Sequence, residues 1–352
     1  MIAKGVVVAA ERRDGAPASP GRDAAQHLQP IANRPILLHA VEGMRNAGIH
    51  DVAVVVSPST RDAIEDVLAA SPVAGVHVEV LVDDDHRGAV SALQAAGEFV
   101  AGAPFLVQPG DGLLRHDLPE LLGTLDGGGP DAIALVGRGP DGAPPPGLDL
   151  IHGCCPTDTG VPPTWSTGAQ LFGRDFVDRT RPHLERHRDD ASLHGVLEDL
   201  HRDAGRIEAR LVRWWSRFDG DPRALLAMNR IVLDDLDPGP VIVPEGCDVE
   251  GRVLIDPTAR IESTAIRGPV VIGPNATVLD AYIGPYTAIG EGALVENCEV
   301  EHSVIFAQAR LRHLGGRLDR SVIGRRASVV RDFAVPRALR LHIGDGAQVE
   351  VP

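Results

Sequence analysis

The chain has 352 residues, 43% of them hydrophobic, a formal net charge of −15 and four cysteines. That length and apolar content suit two folded units better than one core, and the negative charge works against nucleic acid and anionic membranes as partners. The first apolar run, Gly5–Ala10, is too short for a signal or a membrane span, and Cys154, Cys155, Cys247 and Cys298 form no CxxC pair, so the chain reads as cytoplasmic with ordinary loop thiols.

Arginine supplies nearly all the positive charge, and Lys4 is the only lysine. Any mechanism needing a lysine in a pocket must use that one. Aliphatic runs at Gly5–Ala10, Val52–Val56, Val76–Val82, Phe105–Val107 and Ala132–Val136 alternate with helical patterns, which predicts a mostly parallel sheet covered by helices on both faces. Pro35 stands at a helix start, with Leu37, Leu38, Val41 and Met44 at helical spacing and Gly48 as the stop. Similar patterns cover Arg61–Ala70 and Ala89–Val100. Residues Gly137–Pro163 are rich in Gly and Pro and read as a loop excursion. Order resumes near Thr167–Phe172, and a polar helical stretch through Leu193–Leu200 leads to Trp214-Trp215.

After Pro238 the pattern becomes a repeat of about six residues. It reads IDPTARI (255–261), IGPNATV (272–278), IGPYTAI (283–289), IGEGALV (289–295), IFAQARL (305–311), IGRRASV (323–329) and IGDGAQV (343–349). An aliphatic residue, a small residue at the fifth position and another aliphatic at the seventh suit a parallel β-helix, whose short strands each send one side chain into a narrow triangular core. The domains are therefore placed at 1–238 and 239–352. The stacked edge of such a helix predicts self-association or a protein partner.

The segments NRPILLHAVEGMRNAGI, PFLVQPGDGLL, RWW with PRALLAMNRIVLDDL, and the β-helix with IRGPVVIGPN, YIGPYTAIGEG and VEHSVI resemble, in the same order, the long form of bacterial glucose-1-phosphate thymidylyltransferase. The resemblance covers nearly the whole chain. It implies a Rossmann-like nucleotidyltransferase domain followed by a left-handed parallel β-helix of hexapeptide repeats. It also implies joining of a nucleoside triphosphate to a sugar 1-phosphate with release of pyrophosphate, aided by Mg²⁺ and cationic side chains.

The resemblance also implies where a site would be. The glycine-rich phosphate loop of the form G-G-x-G-T-R falls on Ala10-Glu11-Arg12-Arg13-Asp14-Gly15, where Glu11 and Asp14 oppose phosphate and Arg12 and Arg13 are too bulky for a close backbone cradle. A phosphate-contacting lysine falls on Gln26, and a Glu-Lys-Pro segment that meets the sugar falls near Cys155-Pro156-Thr157. Lys4 precedes the first strand and replaces neither, and arginine is no isostere of lysine. Asp111 in PGDGLL matches an aspartate that holds Mg²⁺, or else is a turn aspartate before Gly112. The second metal aspartate is expected after the tryptophan pair, in SRFDG, where Asp219 is the candidate displaced by one residue and Phe218 stands at the matching position. Gly88 matches a glycine beneath the base and Gly168 one on the sugar side.

Asp83-Asp84-Asp85-His86 offers a metal cluster, against a solvated loop as the alternative. His302 in VEHSVI resembles an acyltransferase base but fits ordinary β-helix sequence. Three readings follow: a homologue that has lost ordinary transfer and acts in binding, regulation or complex formation; an active nucleotidylyltransferase with Mg²⁺ and with Arg12, Arg13 or Arg22 on the phosphates; and a repurposed enzyme or acyltransferase using the His86 and Cys154 neighbourhoods. The first accounts for simultaneous changes in the loop, both lysine positions and a metal ligand. It predicts that the Ala10–Gln26 segment is disordered or lies across the pocket mouth.

Overall fold

The structure is a computed structural model that describes residues 3–10, 26–85, 88–115, 118–125, 129–137, 165–187, 193–212, 214–218, 220–237, 243–331 and 333. Two compact units are present. Among the described residues the first runs to the 219/220 divide except for Gln29–Pro35, which joins the second unit from Gly220 onward.

In the first unit, the aliphatic runs form strands β1 (Lys4–Ala9), β4 (Asp51–Val56), β5 (His77–Val82), β6 (Phe105–Pro109), β8 (Ala132–Gly137), β9 (Trp165–Phe172) and β10 (Ile207–Val212). Their order across the sheet is β10-β8-β9-β6-β1-β4-β5, parallel except for β9. Every residue of β8 is buried, which is why such a strand reads as a continuous apolar run rather than an alternation. One face packs on helices α1 (Ile36–Asn46) and α2 (Arg61–Ala70), through Leu37, Leu38, Val41, Met44 and Ile64. The other packs on α3 (Ala89–Ala95), α4 (Gly97–Val100), α6 (Phe176–Arg186) and α7 (His194–Arg202). Phe105, Phe172 and Phe176 meet there, Phe172 and Phe176 with centroids 3.9 Å apart.

Two details depart from the periodicity. Pro35 lies in a two-residue strand and the helix begins at Ile36; the Ala89–Val100 pattern breaks at Ala96, before Gly97. Beyond β6, strand β7 (Gly112–Arg115) pairs antiparallel with β11 (Trp214–Arg217) in a separate ribbon, and α5 (Leu118–Thr124) follows β7.

The connectivity decides where a ligand can enter. From β1 the chain moves to β4 and β5 on one side, then crosses to β6 on the other. The β1/β6 boundary is thus a topological switch point, where helices leave in opposite directions and open a crevice beyond the carboxyl ends of the strands.

In the second unit, three five-stranded parallel sheets form the faces of the left-handed β-helix, running from Asp248–Glu250 to Ser328–Val330 as β12 to β26. Equivalent residues stack coil on coil: Ile266 on Ile283 on Val300, and Ile261 on Val278 on Val295 on Leu311. Ile266, Ile283, Val300, Val278, Val295 and Leu311 are fully buried, and burial of each such side chain stabilises by about 1.5–3 kcal/mol. Corner residues take positive φ, among them Asn275, Asp280, Asn297 and His302, as tight turns require. The repeat at 343–349 lies outside the described residues.

Helix α8 (Pro222–Asp234) belongs to this unit, and the change of sequence texture near residue 238 falls after it. Leu233 packs with Ala32, Val271 and Ala288. Strands β2 (Pro30–Ile31) and β3 (Arg34–Pro35) form a hairpin whose turn residues Ala32 and Asn33 have φ of 45° and 63°, both in the left-handed region of a type I′ turn. Asn229 Oδ1 accepts the Ala32 N–H at 2.9 Å while its Nδ2 donates to the Tyr286 carbonyl at 3.0 Å, and Asn33 Nδ2 donates to the Ile289 carbonyl at 2.7 Å.

Candidate active site

At the switch point, Gly110 donates its N–H to the Val8 carbonyl at 2.8 Å, tying the end of β6 to β1. A Cβ on Gly110 would stand 3.1 Å from that same carbonyl oxygen, so glycine lets the two backbones approach. This turn presents Asp111, which is only 2% exposed.

The Asp111 carboxylate is met by Arg217, whose Nε–H is shared between Oδ1 at 2.9 Å and Oδ2 at 3.1 Å. Local structure brings the two residues together. Arg217 is the last residue of β11 and lies opposite Gly112 of β7, and the Phe218 N–H donates to the Asp111 carbonyl at 2.9 Å. A buried carboxylate without a partner costs several kcal/mol, and a charge-assisted hydrogen bond offsets much of that.

This arrangement tests the expected Mg²⁺ site. A hard divalent cation needs several oxygen ligands about 2.1 Å away. Here a guanidinium already lies against both oxygens of Asp111, the one of the two candidate ligands that is described, and the next residue along is Phe218, which offers no side-chain ligand. Among the described residues the one candidate ligand, Asp111, is therefore already paired with a cation. Asp219 lies outside them, as do Glu11, Arg12, Arg13, Asp14, Arg22, His86, Cys154, Cys155 and nearly all of the Ala10–Gln26 segment.

Gly168 comes to the same place from β9. Its φ is +76°, and a Cβ would stand 2.7 Å from Pro109 Cγ, so a side chain here is strained and glycine lets β9 pass close to the turn carrying Asp111. Gly88 is buried, with φ 140°, at the start of α3. Ser91 Oγ–H donates to Asp83 Oδ2 at 2.7 Å and accepts the Gly88 N–H at 3.2 Å, while Asp83 Oδ1 accepts the Asp85 N–H at 3.1 Å. Asp83 therefore serves the turn before α3. Gln26 opens a short 3₁₀ turn, Gln26–Leu28. The structure thus joins Asp111 and the Gly168 neighbourhood, and adds Arg217, which the sequence reading missed. The one available signal was SRFDG itself, where Phe218 stands at the metal position and a cation precedes it.

Lys4 is far from this chemistry, at the first residue of β1, with its Nζ donating to the Phe99 carbonyl and lying 4.8 Å from the Phe99 ring centroid. Between α6 and α7, burial raises and hydrogen bonds from His187, Arg202 and Arg186 lower the Asp199 pKa, which settles at about 2. That cluster pins two helices. On the β-helix, His302 Nδ1–H donates to Asp319 Oδ1 at 3.1 Å and the ring stacks on Tyr286 at 5.7 Å, while Glu301, beside it, is held by Arg317. His302 is a corner residue with φ 47°, in keeping with ordinary β-helix sequence. No helix among the described residues is long and apolar enough to cross a membrane.

Residues 21–145 match the family model described as nucleotidyl transferase. The chain is 26% identical to a glucose-1-phosphate thymidylyltransferase of Streptomyces griseus over 340 residues, covering 93% of this chain and 94% of that protein. It is 25% identical to the low-salt glycan biosynthesis nucleotidyltransferase of Haloferax volcanii, over 93% of this chain and 94% of that one. A crystal structure from Bacillus anthracis, described as a glucose-1-phosphate thymidylyltransferase in complex with a sucrose, superposes with a TM-score of 0.54 at 18% identity, covering 67% of this chain and 97% of its own. Residues 21–145 thus match a nucleotidyl transferase domain, and the chain is similar over 93% of its length to glucose-1-phosphate thymidylyltransferases.

Proposed function

We propose that this nucleotidyl transferase homologue does not perform ordinary Mg²⁺-dependent nucleotidyl transfer, and that it works by binding: as a regulatory or complex-forming relative that holds a nucleotide or sugar phosphate in its α/β unit and a protein partner, or a second copy, through its β-helix. The observation that carries this reading is the Asp111–Arg217 pair. A transfer site must neutralise charge developing on the phosphates, and the carboxylate that would hold the cation is committed to a guanidinium. The sequence agrees, since the phosphate-loop position holds Glu11 and Asp14, and Gln26 replaces a lysine.

The competing reading, an active sugar-1-phosphate nucleotidylyltransferase with arginine on the phosphates, is favoured by the positive charge that Arg217 brings to the switch point. Pyrophosphate release separates them. The purified chain with Mg²⁺, each common nucleoside triphosphate and several sugar 1-phosphates is expected to release no more pyrophosphate than its Asp111→Ala variant. Turnover abolished by Asp111→Ala would overturn the proposal and establish the active reading.

A further inference from the structure

Neutralising Asp111 engages only one donor of Arg217. The remaining two nitrogens of the guanidinium, carrying four N–H groups, have no partner among the described residues, and the side chain is 39% exposed whereas that of Asp111 is 3% exposed. The carboxylate sits behind and the guanidinium in front. The cross-strand neighbour of Arg217 is Gly112, which has no side chain to cover it.

We propose that Arg217, braced by Asp111, is a metal-independent anchor for the phosphate group of a nucleotide or sugar phosphate. This rests on the reading above, in which Asp111 holds no cation. The geometry supplies what such an anchor needs. A guanidinium presents planar, paired donors that match two phosphate oxygens, and it projects from the ribbon next to the β1/β6 switch point, where ligands of open α/β sheets bind. The buried carboxylate fixes the fork before the ligand arrives, which removes part of the ordering cost of binding. Because the pair is neutral overall, directed N–H donors rather than net charge hold the anion. Affinity is therefore modest and falls little with salt, unlike binding through a field of exposed cations.

The test is calorimetric titration of the intact chain with pyrophosphate, glucose 1-phosphate and UTP, each in EDTA and again in Mg²⁺. The companion variant is the double replacement Asp111→Asn with Arg217→Gln, which removes both charges so that none is left buried alone; its fold is checked by circular dichroism and thermal melting. The expected result is binding in EDTA no weaker than in Mg²⁺, which itself chelates pyrophosphate and UTP, and binding weakened about tenfold or more in the folded double variant. Preference for UTP assigns the phosphate to a nucleotide, and preference for glucose 1-phosphate to a sugar. Binding that requires Mg²⁺, binding unchanged in the double variant, or no binding of any probe would overturn the anchor. An inactive chain that binds nothing in EDTA sinks the anchor and leaves the loss of transfer standing, whereas Mg²⁺-dependent pyrophosphate release sinks the loss of transfer by its own assay.

Discussion

Replacing Arg217 by leucine removes the only described partner of a carboxylate whose side chain is 3% exposed. Breaking a fully buried pair by taking away one member costs about 3–5 kcal/mol. Arg217 is 39% exposed, so water screens the pair and the expected loss falls to about 2–3 kcal/mol. Asp111→Asn leaves a guanidinium that reaches solvent, and costs about 1 kcal/mol. The double variant Asp111→Asn with Arg217→Leu buries no unpaired charge and is expected at about 1 kcal/mol as well, so the two positions couple by about 2–3 kcal/mol. Urea unfolding followed by tryptophan fluorescence measures this cleanly, because Trp165, Trp214 and Trp215 all precede residue 220 and report on the first unit. A coupling below about 0.5 kcal/mol would refute the ion pair and the reasoning built on it.

Gly168→Ala places a side chain at φ +76° and 2.7 Å from Pro109 Cγ, and is expected to lower first-unit stability by about 2–3 kcal/mol in the same urea experiment. Asn229→Ala strands the Ala32 N–H and the Tyr286 carbonyl, with an expected loss of about 2–4 kcal/mol, read from thermal unfolding monitored in the second unit. Asp199 has its pKa lowered to about 2 in the folded chain, so its stabilisation is full above the ordinary value near 3.8 and is lost as pH falls from there through 2. An acid titration should show a smaller drop in stability over that window for Asp199→Asn than for the natural chain. Burial raises the Cys298 thiol pKa, so at pH 8 iodoacetamide should alkylate the half-buried Cys247 well before Cys298, as peptide mapping would show.

Much of the fold was legible because it rests on local repetition. The five aliphatic runs became strands of one sheet, and the recurring aliphatic-small-aliphatic pattern became stacked coils with Ile283 between Ile266 and Val300. The short ribbon β7–β11 was not legible, since four residues are too few for periodicity and its two strands lie about a hundred residues apart in the chain. The site shows the same limit. Asp111 could be picked from PGDGLL and Gly168 from STGAQLF, yet the meaning of Asp111 depends on Arg217, whose contact spans 106 positions and follows from strand register alone. The Gly168 requirement is likewise tertiary, set by the ring of Pro109 on the adjacent strand.

The central claim is that a guanidinium, and not a divalent cation, neutralises Asp111. Titrating the intact chain with Mn²⁺ as a stand-in for Mg²⁺, and counting free ion by electron paramagnetic resonance, tests it most directly. Asp111→Ala is expected to bind no less Mn²⁺ than the natural chain. One tightly bound Mn²⁺ per chain, lost in Asp111→Ala, would contradict it.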